Sequence, residues 1–174
     1  RASEPKEMRH GVSFSSLDTE LAAGTGVSKR ALVDYLEGVA DRMLPALRDR
    51  PLSVIRSTRG QQPFMQKNLP DHAPDWIERA PLWAEASQRT VDYALCNDLR
   101  TLLWFANQRA VEYHTTLVRI DDLDAPTHLV VDIDPPEGAP FTVAAGAARL
   151  VHAALDELDL ACALKTSGAK GLHV

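Results

Sequence analysis

Three observations predict an α/β or α+β domain built on a mixed sheet with flanking helices. Apolar residues recur every three or four positions in some segments, as helices packed by one face require, and gather into short β-branched runs in others, as strands do. The two kinds of segment mix along the chain, so they share one core. At 174 residues, 45% of them hydrophobic and 25% charged, the chain can bury a substantial core. No internal repeat or low-complexity linker divides it, and a single domain over residues 1–174 is the simplest organisation.

The elements follow in order. Ser28 is a good N-cap, and Leu32, Leu36, Val39, Met43 and Leu47 mark an apolar stripe on a helix over Lys29–Leu47, with Lys29, Arg30 and Arg42 on its polar face. Residues 52–56, centred on Val54 and Ile55, read as a short strand, and residues 64–67 as its hairpin partner. Residues 70–76, rich in proline and histidine, form a loop. A strand at 91–96, a helix over 98–108 and a strand at 111–118 come next. Leu129, Val130, Val131 and Ile133 make a buried strand. A helix capped by Thr142 then carries Val143, Ala147, Leu150, Val151, Ala154, Leu155 and Leu158. Residues 161–174 read as strand, glycine-bearing turn, strand.

Composition removes several classes of function. No apolar run approaches the roughly 20 residues that cross a bilayer, and residues 1–10 lack a signal-peptide pattern, which makes the cytoplasm the expected location and a membrane partner unexpected. Cys96 and Cys162 have neither metal-ligand spacing nor neighbouring histidines, and are expected as buried small hydrophobes. The net charge of −5 argues against a protein that coats nucleic acid non-specifically. Its distribution is uneven: residues 1–67 hold 11 basic and 8 acidic side chains, and residues 68–174 hold 8 and 16. A basic nucleic-acid face beside an acidic metal-binding region fits that asymmetry, as does ordinary solvated surface.

Two motifs carry chemistry. In Val130-Val131-Asp132-Ile133-Asp134-Pro135-Pro136 an apolar strand ends in Asp-x-Asp, and a period of two puts both carboxylates on one face. Such a pair repels itself unless a cation lies between, and hard ions such as Mg²⁺ and Mn²⁺ favour oxygen ligands. A turn-capping Asp134 and a sheet-edge Asp132 are the plainer alternative. The second motif, Ser167-Gly168-Ala169-Lys170-Gly171-Leu172-His173, allows backbone N–H groups to converge on an anion, with Ser167, Lys170 and His173 as added donors. An ordinary glycine hairpin is its alternative.

The two motifs, with a helix between them, resemble the archaeo-eukaryotic primase-polymerase superfamily, and specifically the polymerase domain of bacterial DNA ligase D. There a DxD motif supplies metal ligands and an SGxxGxH motif grips the incoming nucleotide. The resemblance runs over nearly the whole chain after Val12. It takes in the stretch from Arg59 to Ile77, with Phe64-Met65-Gln66-Lys67-Asn68 and His72-Ala73-Pro74-Asp75-Trp76-Ile77, then Asp98-Leu99 to Asn107, and Glu112-Tyr113-His114.

This resemblance implies template-directed nucleotidyl transfer at DNA ends or gaps during non-homologous end joining, by two metal ions, Mn²⁺ or Mg²⁺. It implies Asp132 and Asp134 as catalytic metal ligands, and Ser167, Lys170, His173 and His114 as nucleotide contacts. Lys29 matches a lysine that holds the 5′-phosphate of a broken end, and Phe64 an aromatic that stacks on template DNA; Arg56 and Lys67 suit backbone phosphates. Implied partners are DNA carrying a 5′-phosphate, NTP or dNTP, Ku and an ATP-dependent DNA ligase, in the nucleoid. The sequence departs from the family at Thr19, where a second phosphate-reading lysine is common, and at Met65, which replaces the second of two aromatics. Family members also continue past SGxxGxH to a third metal-binding aspartate, so the domain is expected to be incomplete at Val174. The competing functions are a DNA-end or nucleotide-binding relative without turnover, and a metal-dependent phosphohydrolase.

Overall fold

The computed structural model describes residues 6–57 and 62–174, so Arg59, near the start of the family-like stretch, lies outside the described residues. The chain forms two compact units, one ending at Thr127 and one spanning His128–Val174.

The first unit opens with a hairpin of β1 (Glu7–Arg9) and β2 (Val12–Phe14). Its two-residue loop, His10 and Gly11, has positive φ at both positions (47° and 75°), the geometry that matches strand twist in tight hairpins. Helix α1 (Lys29–Leu47) starts where its cap predicts, the Ser28 hydroxyl accepting the Ala31 N–H. Its stripe is rotated from the expected one, however. Val33, Leu36, Ala40 and Leu47 are buried, and so is Lys29, expected on the polar face.

The sheet is built around β3 (Pro51–Arg56). Strand β7 (Ala110–Thr115) pairs along one edge, while β4 (Phe64–Gln66) and β6 (Arg89–Leu95) share the other, beside the two ends of β3. Strand β5 (Arg79–Ala84), which the sequence did not predict, pairs with β6 from Arg79↔Ala94 to Ala84↔Arg89. Its segment contains Pro81 and no β-branched residue, so the pairing and not propensity makes it a strand. Helix α2 (Leu99–Asn107) is capped by Asp98, whose carboxylate accepts the Thr101 N–H. It buries Leu102, Leu103, Trp104 and Phe105 against Phe14, Val33, Leu36, Leu52 and Val54. Each such side chain contributes about 1.5–3 kcal/mol by leaving water.

The second unit is a three-stranded sheet and one helix. Strand β8 (Asp132–Ile133) and β9 (Lys165–Thr166) flank β10 (Leu172–His173), and α3 (Phe141–Glu157) covers one face through Ala144 and Ala148, packed with Leu172 and Ile133. The strand–turn–strand reading of residues 161–174 holds. Three expectations do not. Leu129 and Val130 are exposed, and the expected buried strand shrinks to β8, in which Asp132 is exposed and Ile133 only partly buried, with Val131 bonded to Val174. The N-cap of α3 is Pro140 and not Thr142, so the helix starts two residues earlier than expected, at a proline whose φ is fixed at −69° and without a side-chain cap. Cys162 is exposed, whereas Cys96 is buried as expected, burial pushing its thiol up to about 12.

The class is therefore α+β, and every strand pairing among the described residues is antiparallel. No helix among the described residues is long and apolar enough to cross a membrane.

Candidate functional site

In the second unit, Val131 and Val174 exchange both backbone hydrogen bonds, at 2.8 and 3.0 Å. The next pair along, Asp132 and His173, is then a non-hydrogen-bonded pair, in which cross-strand side chains stand closest. His173 Nε2 lies 3.4 Å from Asp132 Oδ1 on the sheet face opposite α3. Asp134 follows on that same face by the period of two, and there the partner strand offers Gly171. A Cβ on Gly171 would lie 2.6 Å from Asp134 Oδ1 and 2.4 Å from the Ile133 carbonyl oxygen, so only glycine leaves room for this carboxylate.

The turn between β9 and β10 is held by Ser167. Its hydroxyl oxygen accepts the Gly171 N–H at 3.0 Å and the Ala169 N–H at 3.4 Å, while its own N–H donates to the Gly171 carbonyl. Gly168 takes φ 93°, which a side chain would resist. The Ser167 proton and the exposed Lys170 remain available to an anion. A cleft of about 670 Å³ adjoins them, lined by Pro135, Pro136, Glu137, Phe141 and Lys170. It falls in the size range of small-ligand sites. Asp132 and Asp134 present only oxygen donors, the set that Mg²⁺ or Mn²⁺ takes alongside substrate phosphates, so the donor chemistry fits such an ion. Among the described residues no group of three or more His, Cys, Asp or Glu is gathered for a metal.

The remaining candidates lie in the first unit. Lys29 is only 4% exposed. Its ammonium donates to the Asn107 carbonyl at 3.1 Å and to Asn107 Oδ1 at 2.7 Å. The Asn107 amide is aimed by its own donation to the Ser13 carbonyl. Burial, and then the neighbouring Arg109 charge, bring the Lys29 ammonium down to about 8.

Arg56 is also held by protein groups: Nε donates to the Gln108 carbonyl at 2.7 Å, Nη1 to Gln66 at 2.8 Å and Nη2 to the Gln108 side chain at 3.2 Å. Burial lowers its pKa. The guanidinium stands 5.6 Å over Phe64, which is 41% exposed and so not a core aromatic. Lys67, just past the end of β4, is exposed. His114, opposite Ser53 in the sheet, is exposed and pairs with Glu112 at 3.0 Å. The structure thus brings Arg56 and Phe64 together in one unit, and Asp132, Asp134, Ser167 and His173 in the other. Asn107, Gln66, Gln108 and Gly171 were not singled out by their types. Gly171, Gln66 and Asn107 stood within the stretches that carry the resemblance, and Gln108 carried no signal.

Residues 28–174 match the family model described as the LigD primase-polymerase domain. The chain belongs to this family. It is 33% identical over 171 residues to the bifunctional non-homologous end joining protein LigD of Bacillus subtilis, covering 97% of this chain and 27% of that protein. It is 34% identical over 167 residues to the multifunctional non-homologous end joining protein LigD of Mycolicibacterium smegmatis, covering 94% and 22%. Among solved structures, the polymerase domain of Mycobacterium tuberculosis ligase D in complex with DNA aligns with a TM-score of 0.85 at 33% identity, over 93% of this chain and 59% of that one. The chain therefore spans about a quarter of these LigD proteins and under two thirds of the solved polymerase domain. Its helices and antiparallel sheets are those of the LigD polymerase fold.

Proposed function

We propose that residues 1–174 belong to one primase-polymerase domain that adds nucleotides, templated by DNA, at ends or gaps during non-homologous end joining. The observation that carries this reading is one sheet face holding Asp132, Asp134 and His173 beside the Ser167–Gly171 turn. Asp132 and Asp134 hold Mn²⁺ or Mg²⁺. These ions, when bound, neutralise charge on the triphosphate and on the attacking and leaving oxygens, in a two-metal arrangement. Lys170, Ser167 and His173 donate to the nucleotide phosphates, and His114 contacts the nucleotide.

In the first unit, Lys29 meets the 5′-phosphate of the broken end, Phe64 stacks on the template, and Arg56 and Lys67 face backbone phosphates. The partners on this reading are DNA ends or gaps, NTP or dNTP, Ku and an ATP-dependent DNA ligase, in the cytoplasm at the nucleoid. The deciding measurement is Mn²⁺-dependent extension of a gapped, templated primer with release of pyrophosphate. DNA binding without pyrophosphate release would sink the catalytic reading and leave a binding module.

A further inference from the structure

We propose that Arg100, laid against the Trp76 ring in the first turn of α2, is a further DNA contact, one that grips a phosphodiester of the duplex backbone and not the 5′-phosphate of an end. The inference rests on the DNA-handling reading above and adds a residue that lies outside both motifs.

Arg100 is held in place without being satisfied. Its guanidinium carbon stands 3.9 Å from the centre of the Trp76 ring, and a Cβ on Gly11, in the turn of the first hairpin, would lie 3.2 Å from Nε and 3.5 Å from Cζ. Crowded by the indole and the Gly11 backbone, Nε is buried with no acceptor among the described residues. Nη1 and Nη2 likewise have no acceptor there, and they reach solvent. Every other buried or half-buried arginine among the described residues, Arg9, Arg30, Arg50, Arg56, Arg109 and Arg119, has an oxygen within hydrogen-bond or ion-pair distance. No neighbouring acid takes that role for Arg100. Asp98 gives its carboxylate to the Thr101 N–H, Glu37 is bonded to Arg9 and His10, and neither Asp75 nor Asp98 lies within ion-pair distance of the guanidinium. A donor group left open in this way marks a place for an acceptor from outside.

Place and chemistry select the ligand. Arg100 and Asn107 are seven residues apart, about 10 Å along α2, so this site is separate from Lys29, which Asn107 holds. Its platform is firm: the Trp76 ring packs against the buried core, and Asp98 caps the helix turn that carries Arg100. The guanidinium is charged at every working pH, and its planar fork offers paired N–H groups that match two oxygens of a phosphate. With the indole and Gly11 against the side chain, Nη1 and Nη2 form its open edge, and the two non-bridging oxygens of a phosphodiester can accept from both. The aromatic ring behind it favours the cation where water is partly excluded. For a chain that handles DNA, the ligand of that chemistry is the sugar-phosphate backbone, whose contacts set position without reading sequence.

The test titrates gapped DNA by fluorescence anisotropy over a series of salt concentrations, on the chain and on variants whose thermal melts show that they fold. Arg100→Gln should lower affinity by about three- to tenfold on any sequence, and should reduce the slope of log affinity against log salt by about one ion. The loss should be the same with and without a 5′-phosphate on the DNA. Arg100→Lys, which keeps the charge and gives up the fork, should keep the slope and recover only part of the affinity. Arg42→Gln, which removes an exposed charge of α1, is the control and should change affinity by less than about twofold. A folded Arg100→Gln with wild-type affinity and slope overturns the proposal, and is the result expected if the guanidinium instead awaits a carboxylate of a protein partner. A loss confined to guanine-containing sites, or one matched by Arg42→Gln, overturns it too. If Arg100→Gln does not fold, Arg100→Lys decides, and wild-type affinity in that variant is the overturning result. All of these leave the DNA-handling reading standing. A wild-type chain that binds no DNA overturns that reading, and the proposal with it.

Discussion

Gly171 and Asp134 occupy the same space across β10 and the end of β8: a side chain at position 171 would begin 2.6 Å from the Asp134 carboxylate and 2.4 Å from the Ile133 carbonyl. The glycine is not there for a left-handed backbone; among the glycines of this motif, Gly168 has that role, at φ 93°. Gly171→Ala must therefore push the strand ends apart, at a cost of about 1–3 kcal/mol typical of overpacking. Urea denaturation should register the loss, and Mn²⁺ affinity should fall with it as Asp134 is displaced. A Gly171→Ala protein with unchanged stability would show that the two strands are looser than this contact requires.

The carboxylate pair makes a separate prediction. Asp132→Asn and Asp134→Asn should each abolish Mn²⁺ binding detected by electron paramagnetic resonance, and should leave DNA affinity within about threefold, since no phosphate contact is removed. Without the ion, Asp134→Asn removes a like charge from the shared face and should leave stability the same or slightly higher, by no more than about 0.5 kcal/mol. Asp132→Asn also loses the His173 partner, so it should not share that gain. Retained Mn²⁺ binding in both variants would end the metal assignment.

Lys29 predicts a pH dependence whose sign is unusual. Its folded value is about 8 and its ordinary value 10.5, so between those limits the unfolded chain binds the proton and the folded chain has released it. The cost of burying the charged ammonium is present in full below pH 8 and is relieved as pH rises toward 10.5. Tyr113, whose buried phenol is raised well above its ordinary value, acts oppositely at the top of this window and is common to both proteins. Thermal melts of wild type and Lys29→Met from pH 7 to 10.5 should therefore show wild type gaining relative to the variant. A constant difference across the range would mean that Lys29 is hydrated.

Local signals were sufficient wherever the chain alone imposes the structure. Ser28 marked the start of α1 because a cap is a contact within four residues, whereas Asp98 lay inside the expected second helix and proves to be its cap, and the cap expected at Thr142 is Pro140. The DxD pattern foretold that the two carboxylates share one face, since a strand has a period of two, and residues 161–174 read as strand, turn, strand, as β9 and β10 are. What escaped is long-range. Strand β5 exists because β6 pairs with it. Lys29 lies inside because Asn107, 78 residues away, offers two oxygens to its ammonium. Helix α3 buries Ala144 and Ala148 while Val143 and Leu150 stay exposed, so its broad apolar periodicity could not say which face meets the sheet.

Arg56 and Phe64 lie against each other and should respond to substitution in opposite ways. Arg56 bridges β3 to β4 and to the end of α2 through three hydrogen bonds, and it is half-buried. Its removal leaves the Gln108 carbonyl and two amide groups without their donor, so Arg56→Ala should destabilise the protein by about 1–3 kcal/mol. Any loss of DNA binding in that variant then mixes a folding effect with a lost charge. Phe64 is different: with a ring 41% exposed at the sheet edge, little apolar surface depends on it, and Phe64→Ala should change stability by no more than about 0.5 kcal/mol. What the exposed ring can offer is a stacking plane, backed by the Arg56 guanidinium at 5.6 Å, and stacking of one base is worth about 1–3 kcal/mol. Met65 beside it, also exposed, offers no such plane. Phe64→Ala should therefore weaken binding of a primer with a single-stranded template overhang by about tenfold, leave binding of blunt duplex within twofold, and be rescued by Phe64→Trp. Equal losses on overhang and blunt DNA would make Phe64 a general surface contact, and a large loss of stability would return it to the core.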